Sequence, residues 1–308
     1  MNQQVELDRG LVVASHGRHV VVETPEGRRL ICHPRGKKNQ AVVGDRVLWL
    51  ASGDEGSIEK VEARRNLFYR QDEIRTKSFA ANLDQVLILV AAEPEFSESQ
   101  LARALIAAEA ERIRPLIVLN KSDLADPFAR AWARLAPYRR MGYSVLPLSL
   151  KTQGGEAELA ALQAQLRGQA TLVLGPSGAG KSTLINRLVP GAQAQTGELS
   201  VALSAGKHTT TSTSWYWVDT ARQTALIDSP GFQEFGLQHI GAAQLAGLMP
   251  DLRAHAGNCR FYNCSHLHEP GCDVIAAVDQ KADGAGISPS RYRIYSELHA
   301  ELSQAPRY

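Results

Sequence analysis

No stretch of this sequence approaches the roughly 18 consecutive apolar residues of a membrane-spanning helix, so no membrane partner is expected. Its first residues, Met1, Asn2, Gln3 and Gln4, are polar and lack the basic-then-apolar pattern of a secretory signal, which makes a reducing, cytoplasmic setting the expectation. Charge of one sign is scarce too. With 34 Lys and Arg against 32 Asp and Glu the formal charge is +2, too small to argue for nucleic-acid binding, and any such argument must come from local clusters. Cysteine is limited to four residues in 308, which excludes a disulfide-dense scaffold. Internal repeats and low-complexity tracts are absent. What remains, 44% hydrophobic and 21% charged, is ordinary globular composition, and the length suggests about two domains with room for a small third.

Up to residue 75, short apolar runs alternate with turn signals: Gly10–Val13, His19–Val22, Arg29–Cys32, Arg46–Leu50 and Ser57–Val61. Such spacing predicts a small closed β-barrel, with an OB-fold as the leading reading and an SH3-like barrel as the other. Basic residues gather in its loop at Arg35, Lys37 and Lys38, and again at Arg64, Arg65 and Arg70, as either a solvated surface or an RNA contact. From 76 to 236 apolar strands alternate with helical stretches. Gln85–Val90, Pro115–Leu119, Ser144–Leu148, Ala170–Leu174 and Thr224–Asp228 read as strands, and Glu98–Ala110 as an amphipathic helix. This is the pattern of an α/β domain whose parallel sheet is covered on both faces. From 237 to 308 helices surround a cysteine cluster, and Ser288–Leu302 reads as a final helix.

The central domain carries nucleotide chemistry. Gly175, Pro176, Ser177, Gly178, Ala179, Gly180, Lys181, Ser182 and Thr183 form a full phosphate-loop pattern between a strand and a helix. Its glycines let backbone N–H groups converge on phosphate oxygens at a helix N-terminus. Lys181 is expected to reach the β- and γ-phosphates and Ser182 to ligate Mg²⁺. Asn120, Lys121, Ser122 and Asp123 follow a buried-strand pattern and suit guanine, because one carboxylate can accept from both its ring N–H and its exocyclic amine. A buried acceptor left unpaired by the wrong base can enforce discrimination of about 10⁴. Ser149 and Lys151, after the next strand, are expected to support the guanine edge.

Asp228, Ser229, Pro230 and Gly231 place a carboxylate for a Mg²⁺-bound water and a backbone N–H for the γ-phosphate. Between this segment and the phosphate loop lie His208 and the threonines 209 to 211. Thr210 is a candidate for the Mg²⁺ shell, and His208 for positioning water, with a structural role as the alternative. Phe232 stands where many GTPases carry the glutamine that orients the attacking water, which predicts slow intrinsic turnover raised by a partner. The base-reading motif precedes the phosphate loop, whereas most GTPases have the reverse order, so the chain reads as circularly permuted. Cys259, Cys264 and Cys272 with His266 or His268 supply a Cys₃His set for one structural Zn²⁺. Cys32, on a strand, reads as core.

Together these residues closely resemble the small-ribosomal-subunit-dependent GTPases of the RsgA/YjeQ type, over nearly the whole chain. The resemblance favours His266 as the histidine ligand. It implies an OB-fold, a permuted GTPase domain and a zinc domain that together grip the small ribosomal subunit and its rRNA during late maturation. GTP hydrolysis stimulated by that subunit is implied too, and the protein is expected to be a monomer. A permuted GTPase of the large subunit, an ATP-using enzyme, and an RNA-binding adaptor with an inert nucleotide site are the competing readings.

Overall fold

A computed structural model of the chain describes residues 7–35, 41–73, 75–151, 155–189, 191–192, 212–230, 232, 235–278 and 286–304. Strands β1 (Asp8–Ser15), β2 (Val20–Glu23), β3 (Arg29–Pro34), β4 (Arg46–Ser52) and β5 (Glu55–Val61) pair in the order β1-β2-β3-β5-β4, and β4 returns to β1. That return closes the barrel and removes its free edges. β3 and β5 run parallel and the other neighbours antiparallel, as in a five-stranded barrel of the OB type rather than an SH3-like one. Alternate residues point inward, so Val20, Val22, Leu30, Val47, Trp49 and Ile58 share one core with Cys32. Cys32 is fully buried, and burial, with a smaller push from Glu55, raises its thiol to about 11. A thiol in that state is packing material, as the sequence suggested.

A hairpin follows, β6 (Leu67–Gln71) and β7 (Thr76–Ala81), which the apolar pattern did not reveal. The expected boundary between residues 75 and 76 falls at its turn. β7 is tied back to the barrel where Ala81 N–H donates to the Val43 carbonyl at 2.8 Å.

Strands β8 (Gln85–Ala91), β9 (Arg114–Asn120), β10 (Ser144–Leu148), β11 (Ala170–Leu174), β12 (Ser214–Trp217) and β13 (Ala225–Asp228) are ordered β10-β9-β8-β11-β13-β12. All are parallel except β12, which pairs antiparallel with β13 and bridges to β1 of the barrel through Ser214 and Ala14. Every residue of β8 is buried, because both faces of the sheet are covered. Val86, Ile88 and Val90 face helix α1 (Glu98–Ala110), together with residues from α2 (Ala125–Arg134) and α3 (Ala136–Arg140). Leu87 and Leu89 face α4 (Glu156–Leu166) and α5 (Lys181–Leu188). α1 starts where expected because the Ser97 hydroxyl accepts from the Gln100 N–H.

The C-terminal part comprises a 3₁₀ turn (Ala242–Leu248), α6 (Pro250–Ala256), α7 (Asp273–Ala277) and α8 (Pro289–Leu302). Its apolar residues Leu245, Leu252, Ile294 and Leu298 join the same core as α1, so this module packs on the central domain. Two arginines hold it there. Arg103 of α1 forms a bidentate pair with Glu301 of α8. Arg291 of α8, 2% exposed, donates to both carboxylate oxygens of Asp251 at 2.8 and 3.0 Å and stacks over the Tyr138 ring of α3 at 5.2 Å. Arg291→Ala strands a largely buried carboxylate, so it is expected to cost about 3–5 kcal/mol of unfolding free energy in urea titrations, and a loss below about 1 kcal/mol would contradict this packing.

Candidate functional site

Among the described residues, the motifs at 120–123, 149–151, 175–183 and 228–230 each emerge from the carboxyl end of a strand, where open parallel sheets bind their ligands. The phosphate-loop segment leaves β11 and runs into α5, with Gly178 and Gly180 at φ of 80° and 100°, a region that favours glycine. A Cβ on Gly180 would lie 2.4 Å from Asn120 Nδ2, so the loop lies directly against the end of β9. No side chain caps the start of α5 at Gly180, which leaves its first N–H groups available to an anion.

Asn120 ends β9, is 4% exposed, and donates through Nδ2 to the Ala179 carbonyl at 2.8 Å. That bond ties the two motifs together. Lys121 adopts φ of 70° and its ammonium donates to the Glu93 carbonyl. Ser122 turns away from the cleft, its N–H donating to Leu148 O at 3.0 Å and its hydroxyl to Glu158 of α4 at 2.9 and 3.0 Å. Ser149, after β10, donates to Asp123 Oδ1 at 3.0 Å, holding that carboxylate in place. Sequence reasoning missed Glu158, since nothing local distinguishes it from Glu156, the other acid of α4.

The loops enclose one cleft of about 660 Å³. Asn120, Lys121, Asp123 and Lys151 line it on one side, and Gly175, Pro176, Ser177, Gly178, Gly180, Lys181, Ser182 and Thr183 on the other. Leu150, Pro230 and Phe232 complete the lining. Ala179 and Ser149 stand behind it and brace the lining residues Asn120 and Asp123, while Ser122 ties its loop to α4 through Glu158. Asp228 ends β13, 9% exposed, and its carboxylate pairs with the Lys181 ammonium, which also donates to Ser229 O at 3.2 Å. Phe232 is 4% exposed and packs near Phe235, at a ring separation of 6.4 Å. His208, Thr210 and Gly231 lie outside the described residues.

At the C-terminal end, Cys259, Cys264, His266 and Cys272 bring their ligand atoms within 4.8 Å of one another, a set that can hold a metal ion. His266 is buried with φ of 60°, and its Nδ1 lies 3.4 Å from Cys259 Sγ and 3.6 Å from Cys272 Sγ, whereas His268 is exposed. The Glu269 carboxylate accepts from the Ser265 N–H and hydroxyl at 2.8 and 2.6 Å, bonds that hold it well below the usual carboxylate range. Tyr292 and Tyr295 of α8 donate to the carbonyls of His266 and Ser265 at 2.8 and 2.7 Å, so the cluster is braced by the final helix.

A parallel sheet with a phosphate loop on one strand and a guanine-type motif on an earlier one defines a circularly permuted P-loop GTPase, here with a closed barrel before it and a Cys₃His module after it. Residues 61–238 match the sequence model of the RsgA GTPase family. A protein of Variovorax paradoxus (strain S110) called small ribosomal subunit biogenesis GTPase RsgA is 75% identical over 299 residues, covering 97% of this chain and 94% of its own length. Its namesake in Paraburkholderia xenovorans (strain LB400) is 52% identical over 303 residues, covering 97% and 94%. Among solved structures, YjeQ from Thermotoga maritima superposes with a TM-score of 0.74 at 29% identity, covering 97% of this chain and all of that one. YloQ, described as a circularly permuted GTPase, gives 0.70 at 27% identity, covering 100% and 99%. The chain belongs to the RsgA GTPase family.

Asn120→Ala removes the donor to Ala179 O and loosens the phosphate loop. It is expected to weaken GDP and GTP binding alike, by about tenfold or 1.4 kcal/mol in calorimetric titrations. Unchanged affinity for both nucleotides would show that this tie does not shape the cleft.

Proposed function

We propose that this chain binds GTP in the cleft between Asp123 and Lys181 and hydrolyses it to GDP and phosphate in the late maturation of the small ribosomal subunit, with turnover stimulated by that subunit. The observation that carries the reading is that Asp123 and Lys181, which come from motifs in permuted order, line the same cleft. Family membership and relatives named for small-subunit biogenesis support the process, in the cytoplasm.

In this reading Asp123, held by Ser149, accepts from the guanine edge, with Lys121 and Lys151 beside the base. The backbone N–H groups of residues 175–183 cradle the phosphates. GTP binding exchanges the Lys181–Asp228 pair: the ammonium turns to the β- and γ-phosphates and the carboxylate to a Mg²⁺-bound water, with Ser182 as a direct Mg²⁺ ligand. Thr210, Gly231 and His208 keep the roles expected from sequence: Mg²⁺ shell, γ-phosphate donor and water positioning. Phe232 offers no hydrogen-bonding group and sits buried at the edge of the cleft, which accords with slow intrinsic hydrolysis. A partner that orders this edge supplies what the ring lacks.

Zinc suits the Cys₃His set. Zn–S bonds of about 2.3 Å and a Zn–N bond of about 2.0 Å give tetrahedral edges of roughly 3.8 Å between sulfurs and 3.5 Å from sulfur to nitrogen. The Cys259–Cys272 separation is 3.8 Å and the two sulfur–nitrogen distances are 3.4 and 3.6 Å. Four protein ligands leave no open position, so the ion is structural. The module folded around it, together with the barrel, is the surface assigned to rRNA.

GTP hydrolysis titrated with purified small and large subunits tests the main reading. Stimulation by small subunits alone is expected, and equal stimulation by large subunits, or none by either, would overturn it. Asp123→Asn is expected to shift preference from guanine toward xanthine nucleotides by about 10² or more in relative affinity. Cys264→Ala is expected to abolish the one zinc per chain measured by mass spectrometry and to unfold the terminal module, while GDP binding persists.

A further inference from the structure

Among the described residues, the large apolar side chains that stand exposed are two neighbours, Phe261, 42% exposed, and Tyr262, fully exposed. Single exposed apolar residues are ordinary on a protein surface, whereas two adjacent rings at one tip call for a partner. They lie in the short turn between Cys259 and Cys264, both members of the Cys₃His set. Hydrogen bonds fix that turn: the Arg260 N–H donates to the Gly271 carbonyl at 3.1 Å, and the Cys264 N–H to the Phe261 carbonyl at 3.2 Å. The stem of Arg260 lies across Gly271, where an added Cβ would come within 3.2 Å of the arginine's own. The rings are thus held out by a braced turn, which reduces the ordering cost of binding.

The surroundings decide what such a tip suits. Arg260 is itself exposed and places its guanidinium 5.5 Å from the centre of the Phe261 ring. Between residues 252 and 278 the acids are Glu269 and Asp273, and donors of the module occupy both. Glu269 accepts from Ser265, while Asp273 lies 3.1 Å from His255 Nδ1 and accepts from Asn258 Nδ2 at 3.4 Å. The aliphatic residues Leu252, Val274 and Ala277 are turned inward, whereas Asn258, Asn263 and His268 are exposed. Two rings, a cation and polar neighbours with both carboxylates engaged suit a nucleobase and its phosphate better than an apolar pocket of a protein.

We propose that Arg260, Phe261 and Tyr262 form a stacking platform for an unpaired base of RNA, with the guanidinium on the adjoining phosphate. Bases inside a duplex already stack on one another, so the target is a loop, a bulge or a splayed-out base. The platform is one part of the rRNA surface proposed for the terminal module, and the inference rests on that reading of the chain.

The test measures binding of purified small subunits to the full chain with a non-hydrolysable GTP analogue, comparing wild type with Tyr262→Ala and Tyr262→Phe. Tyr262→Ala is expected to weaken binding about tenfold, the loss of one base stack. Tyr262→Phe should stay within about twofold of wild type, because stacking needs the ring and not the hydroxyl. Zinc content and GDP affinity should be unchanged in both. An aryl azide installed at Tyr262 should crosslink to rRNA on irradiation, and this readout stands alone if Tyr262→Ala proves to lose zinc. Wild-type affinity in Tyr262→Ala overturns the proposal. So does a crosslink to a ribosomal protein in place of rRNA, which would make the tip a protein contact, and so does a Tyr262→Phe protein as weak as Tyr262→Ala, which would assign the contact to the hydroxyl. A wild-type chain that binds no small subunits instead overturns the proposed function itself, and this inference with it.

Discussion

The bond from Asn120 to the Ala179 carbonyl is the contact on which the site depends. It joins a loop that expects a base to a loop that expects phosphates, and it does so in a buried place where an unmet carbonyl would be costly. β9 and β11 are separated in the sheet only by β8, so their carboxyl ends lie about 10 Å apart, two strand spacings, and a loop from each can close on one molecule. Gly180 follows from the same contact, since no side chain fits between it and Asn120.

Chain order matters little to this arrangement, because the sheet places strands by pairing and not by sequence. Order does decide what is attached to what. Since β13 comes late, the segment after Asp228 leads through Phe235 into the module that carries the Cys₃His cluster. The same segment is gripped by the hairpin that follows the barrel. Both flanking modules therefore bear on the residues at the phosphate end of the cleft, which is where a change between GTP and GDP would be felt.

The motifs legible in the sequence are those whose chemistry is local. Residues 175–183 form a loop from consecutive residues, α1 shows in the amphipathic run from Glu98 to Ala110, and the barrel strands alternate cleanly. Less legible features depend on partners far away. Spacing left His266 and His268 equivalent, and it is the burial of His266 and the approach of its Nδ1 to the Cys259 and Cys272 sulfurs that distinguish them. The hairpin is stabilised by Phe68 and Phe79 meeting Phe235, and β12 by pairing with β13 and β1, so neither carries a strong pattern of its own. Glu158 acts through a contact 36 residues away in sequence and Lys77 meets the Pro230 carbonyl across 153, which no periodicity encodes.

A crystal structure of the chain with Mg²⁺ and a non-hydrolysable GTP analogue tests the central claim most directly. The account requires the Asp123 carboxylate on the guanine edge and the Lys181 ammonium on the β- and γ-phosphates of one nucleotide. A nucleotide whose phosphates meet Lys181 while its base lies away from Asp123 would contradict it.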